Sequence, residues 1–170
     1  RLAALCPPEA EPWALLAQAL LPVAPRHADA LAAARHAQVP GDPDPLLLRH
    51  RIALADGRAA LALHHARLLR ALAPEDAQAQ LAVALSLRAF DPPRLGEARD
   101  ALEQALREAP LTDRARGEVE EELVRTLLDL GDAASIARAR ELVPDLLRRP
   151  AEREARRRRE LMVRRIPEPE

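Results

Sequence analysis

The sequence contains no lysine, no asparagine and no tyrosine, and it has one tryptophan, one phenylalanine and one cysteine in 170 residues. A single cysteine, Cys6, excludes an internal disulfide and a cysteine metal cage, and it is compatible with a reducing compartment. The scarcity of aromatic and β-branched side chains removes the residues that strands favour. It also removes the rings on which nucleobases stack. No run of about 18 apolar residues occurs, so no membrane span is expected. The formal net charge of −1 gives no global pull toward nucleic acid or an anionic bilayer.

What is present is alanine, leucine and arginine. Apolar residues make up 48% of the chain and are almost all Ala, Leu and Val, and all 26 basic residues are Arg. Ala and Leu are strong helix formers, so the composition predicts an all-α protein. Small core side chains let helices approach closely, within the usual spacing of about 8–10 Å.

Proline provides the punctuation. Pro40, Pro74, Pro110 and either Pro144 or Pro150 are separated by 34, 36 and then 34 or 40 residues. Between each pair lie two stretches of helical period. A unit of about 34 residues holding two helices and closing in proline is the signature of a helical solenoid. The predicted helices are Glu9 to Leu20 and His27 to Gln38, Pro45 to Ala55 and Arg58 to Ala73, Glu75 to Ala89 and Arg94 to Glu108, and Thr112 to Leu130 and Asp132 to Arg148. A charged helix from Ala151 to about Arg165 follows, with a frayed Pro-Glu-Pro-Glu tail. Pro12, Pro43 and Pro45 suit first-turn positions. Gly57 and Gly131 suit turns that need a positive φ, and Thr112 and Asp132 suit N-caps. Pro144 falls inside a helical pattern, which predicts a kink near Arg140 or a break into two short helices.

Trp13, Leu16, Ala17 and Leu20 match the Trp-x2-Leu-Gly/Ala-x2-large pattern of a tetratricopeptide first helix. Ala98, Leu102, Ala105 and Pro110 match the second-helix pattern Ala-x3-large-x2-Ala-x4-Pro, and Ala62, Ala66, Leu69 and Pro74 follow it more loosely. The chain therefore resembles the tetratricopeptide repeat (TPR) family over residues 9 to about 150. The resemblance implies one domain over 1–170, with repeats at about 9–40, 43–74, 75–110 and 112–150 and a capping helix at 151–166. It implies a right-handed α-α superhelix of about four helix-turn-helix repeats. Departures are Arg35 at a normally small position, and Arg49 and His50 at positions normally apolar or small. A one-residue slip brings Leu48 and Ile52 inward instead. A less regular α-solenoid is the related alternative.

In that family the first helices line a concave face where ligands bind. The resemblance places Leu47, Arg51 and Leu54 there from the second repeat, Leu81, Leu85 and Arg88 from the third, and Glu121 and Arg125 from the fourth. This implies an apolar, arginine-studded groove for an amphipathic helix or an extended acidic peptide. The plainer reading makes the leucines ordinary core and the arginines solvated. One version of the family grips a C-terminal carboxylate with Lys and Asn side chains, and this chain has neither.

Other features carry weaker chemistry. Glu118, Glu120, Glu121 and Glu122 read as acids favouring a helix N-terminus, or else as an acidic contact patch. Residues 148–165 hold nine arginines against three glutamates. They read as the polar end helix that a solenoid needs, with a protein contact or phosphate binding as alternatives. His64 and His65 are adjacent and point about 100° apart on a helix, so no metal pair is expected. No phosphate loop, nucleophile elbow or HExxH occurs, and neither an enzyme nor a cofactor is expected.

The expected function is thus a non-enzymatic scaffold or adaptor that binds another protein or peptide, with self-association into a homo-oligomer also compatible. A regulatory or sensor segment of a larger bacterial signalling or transcription protein is the second expectation, and an anion-binding module using the Arg-rich helix the third. Leu2 to Cys6 is similar to a lipoprotein cleavage segment only in outline, since Leu5 stands where a small residue is usual. A chain starting at Arg1 rather than Met is expected to be a fragment or a processed form, and the cytoplasm is the expected compartment, with a periplasmic or lipid-anchored location the alternative.

Overall fold

The computed structural model describes residues 10–148 and 153–166, and among these residues the chain is all-helical, with nine helices and no strand. The expectations for Cys6, for the Glu9 helix start, for Arg149, Pro150 and Glu152, and for the tail beyond Ile166 lie outside the described residues. The chain divides into two compact units, Arg1–Ala73 and Pro74–Glu170.

The first unit holds α1 (Ala10–Leu20), α2 (Pro25–Gln38), α3 (Asp44–Ala55) and α4 (Ala59–Leu72), each packed on the next along the chain. Pro25 opens α2 at its first turn, where the missing N–H costs nothing. Pro43 and Pro45 flank the start of α3, and the Asp42 carboxylate accepts the Asp44 N–H at 3.1 Å. Gly57 closes α3 at φ 70, a conformation that Cβ-bearing residues avoid. Trp13, Ala17, Ala28, Leu31, Ala32, Leu48 and Ile52 form a core drawn from α1, α2 and α3. The one-residue slip is therefore the observed register for Leu48 and Ile52, and His50 turns inward with them.

The second unit holds α5 (Ala77–Arg88), α6 (Leu95–Glu108), α7 (Asp113–Leu130), α8 (Ala133–Arg148) and α9 (Arg153–Val163). Consecutive helices pack on one another, and α7 also touches α5 and α9. Asp76 caps α5 by accepting the Gln78 N–H at 3.0 Å, and Thr112 caps α7 by accepting that of Ala115 at 3.3 Å. Asp132 accepts both the backbone N–H of Ser135 at 2.9 Å and its hydroxyl at 2.6 Å. Those two bonds hold its carboxyl below the usual range. Gly131, at φ 72, ends α7 in the left-handed cap. Ala98, Leu102, Ala105, Val119, Leu123, Leu127, Ala139, Val143 and Leu146 are buried along the seams.

Every described helix end falls within two residues of its expected position. Pro144 is the exception to the expected pattern of breaks. Helix α8 runs unbroken through it from Ala133 to Arg148. The ring sits on the exposed side, while Val143 and Leu146 on either side of it are buried. Packing of that buried face holds the helix together across the bond that proline cannot make.

Candidate functional site

In the first unit, Leu47, Arg51 and Leu54 lie along the outward line of α3, with Arg51 exposed and the two leucines half-buried. The opposite sides of α3 bury Leu46, Leu48, His50, Ile52 and Ala53. Arg49, beside that line, donates from Nε to Asp29 of α2 at 2.9 Å. Arg35, the oversized residue in α2, is buried and lies 3.5 Å from the Asp42 carboxylate.

Sequence reasoning treated His64 and His65 only as metal candidates. Among the described residues no group of three His, Cys, Asp or Glu could hold a metal ion. What the structure does show is a buried imidazole. His65 on α4 is 3% exposed, and neither ring nitrogen has a hydrogen-bond partner. Burial, then the Arg49 and His64 charges, lower its pKa to about 4 from 6.5, against a smaller opposing pull from Asp29. Between those two values the unfolded chain binds a proton that the folded chain refuses. Stability is therefore full above pH 6.5 and falls as pH drops toward 4. We expect a loss of about 1–2 kcal/mol from this residue over that window, discounted for screening by solvent and nearby charges. Urea unfolding of wild type and His65→Leu at the two ends of the window checks it. The variant is expected to lose part of the pH dependence, and an unchanged difference between the two pH values would refute the assignment.

In the second unit the candidate residues converge. Leu81 and Leu85 lie on one line of α5, half-buried and 39% exposed respectively. Arg88, further along that line, donates to Glu122 and, at 2.6 Å, to Asp129, both on α7. Arg125 donates to Glu122 at 2.8 Å and lies 3.8 Å from Glu121. Glu121 is 6% exposed and accepts from Arg158 at 3.1 Å and Arg159 at 3.2 Å, both from α9. Arg159 also reaches the Leu146 carbonyl at 2.9 Å, and Arg165 donates to Asp129 at 3.0 Å.

Thus α7 carries a row of carboxylates that take guanidinium groups from α5, from α9 and from the turn that follows α9. The helix-dipole explanation of Glu120, Glu121 and Glu122 does not hold. The helix begins at Asp113, so these residues lie about two turns in, whereas the dipole acts within the first turn. Glu121 and Glu122 are buried against arginines that α9 and α5 bring to them. Asp129 was missed from sequence, and Glu122 and the Arg-rich end helix, read as an acidic patch and a polar end, were not matched to the arginines and carboxylates they meet. One signal was there: Arg88 and Glu122 are 34 residues apart, the spacing of the prolines. Arg158 and Arg159 of α9, and Arg165 just past it, turn to carboxylates, while Arg156 and Arg157 of α9 and Arg164 just past it face solvent.

No helix among the described residues is long and apolar enough to cross a membrane. Neither a protein-family model, nor a curated protein, nor a solved structure shows significant similarity to this chain.

Proposed function

We propose that this chain is a TPR-like helical-repeat module that binds another protein or peptide and performs no catalysis. One observation carries the reading: α7 takes ion pairs at about repeat spacing from Arg88 of α5, from Arg158 of α9 and from Arg165 just past α9. Arg88 and Glu122 are 34 residues apart, Asp129 and Arg165 36, and Glu121 and Arg158 37. Stacked hairpins of about 34 residues bring the first helix of one beside the first helix of the next, so charges one period apart meet. The register supports a shared face formed by alternate helices, and Leu81 and Leu85 are the apolar anchors on it.

Arg88 is committed to two carboxylates, so reversing its charge tests folding rather than binding. Leu85→Glu is a cleaner probe of the second unit, because that side chain is exposed. We expect the variant to keep the helical circular dichroism of wild type and to lose a partner on immobilised capture from cell extract by about tenfold or more. If capture is unchanged, the α5 line of the second unit is not the binding surface.

A further inference from the structure

Helix α9 is held differently from the other helices of its unit. Among residues 156–166 only Arg159 and Met162 are buried, at 5% and 6% exposure. Two further ion pairs to α7 run from Arg158 and, just past the helix, from Arg165, whose side chains are about half exposed, at 52% and 55%. The guanidinium ends that reach solvent are open to screening by salt. On α7, Glu121, which takes Arg158 and Arg159, is almost fully enclosed with α9 in place, and Leu123 and Val124 next along the helix are completely so.

We propose that the α7 surface under α9 is a docking site for a basic amphipathic helix of a partner protein, and that α9 is its built-in competitor. The recognition elements are those α9 displays in turn: two adjacent arginines, an apolar side chain three residues after the second, and a further arginine three residues beyond. The pair reaches Glu121, the apolar side chain packs where Met162 is buried, and the last arginine reaches Asp129. Charge complementarity selects the ligand: Glu121 and Asp129 face α9 as acceptors, and burial of Glu121 requires a cation against it. Because α9 is tethered, it competes at an effective concentration of about millimolar. A partner helix must match the same spacing to displace it. The inference rests on reading this unit as a protein-binding surface, but it concerns the α7–α9 contact and not the exposed leucines of α5.

The test uses the full chain and a labelled synthetic peptide of residues 153–166. In Arg158→Ala/Arg159→Ala the grip of α9 is loosened, and the peptide is expected to bind at least about tenfold more tightly than to wild type. Adding Glu121→Ala is expected to abolish the gain, and a scrambled peptide of equal charge is expected to bind more weakly. Equal binding of the scrambled peptide, or no gain in a variant that keeps its helical signal, would overturn the proposal. Hydrogen exchange on the wild-type chain provides a measurement independent of variant folding. Raising salt from about 0.05 to about 0.5 M should speed exchange in α9 while the amides around Leu102 and Leu123 hold. Exchange of α9 only together with the rest of the unit would equally overturn it. Extract capture that depends on Leu85 while these outcomes fail would leave the proposed function standing and remove this inference alone.

Discussion

Replacing Leu123 by alanine is expected to lower the stability of the second unit by about 3–4 kcal/mol, within the range for a fully buried leucine. Leu123 is fully buried, and it sits on the helix that touches α5, α6, α8 and α9. Its surroundings make collapse difficult. Neighbouring seams are already closed by alanines such as Ala98, Ala105 and Ala139, and small side chains cannot swing into a void. Most of the cavity should therefore persist, which places the cost above a bare transfer term. Against a typical domain stability of about 5–15 kcal/mol, the change is a large fraction of the total. Urea unfolding followed by circular dichroism should show a lower midpoint with an unchanged slope. Leu85→Ala, at an exposed position of α5, is expected to change stability by about 0.5 kcal/mol or less. A loss below about 1 kcal/mol for Leu123→Ala would mean that α7 is not the packing centre of its unit.

Helix limits were legible because they are set by local chemistry. Proline ends or opens a helix by what its own ring removes, and Gly57 and Gly131 end theirs by accepting φ near 70. Thr112 and Asp132 cap through bonds to residues three positions on. None of these needs a distant partner. The expected break at Pro144 failed for the converse reason. Its effect depends on which face of α8 is buried, and that is decided by the neighbouring helices. The chemistry of the candidate surface was even less local. On an isolated helix Glu121 looks like any surface acid, and Arg159 like one arginine in a solvated run. Their burial follows from α9 lying across α7, so it could be read only through the repeat period. His65 is similar: nothing in the His64-His65 pair tells which ring is enclosed, yet one is exposed and the other shut away among Arg49, His50 and Asp29.

Trp13 poses the same question in the first unit, with a different expected response. The pattern that includes Trp13 also includes Leu16, but only the first is buried: Trp13 is 3% exposed and Leu16 is 47% exposed. Trp13→Ala is expected to cost about 3–5 kcal/mol of docking for α1, and Leu16→Ala about 0.5 kcal/mol or less. The indole packs in a core with Ala17, Ala28, Leu31, Ala32, Leu48 and Ile52, and among the described side chains of α1 it is the largest that is fully buried there, with Leu20 packed partly against the same core. Helix α1 packs chiefly on α2. Losing its anchor should therefore release α1 without dissolving α3 and α4, because a helix of 11 residues has little stability of its own. The expected signature is a partial loss of helical signal with fast hydrogen exchange confined to α1, while the amides of α3 and α4 keep their protection. Trp13→Phe should retain most of the docking, since an aromatic ring still fills most of the site. Loss of protection throughout α2, α3 and α4 in Trp13→Ala would show instead that the four helices fold as one cooperative block, with the indole at its centre rather than at its edge.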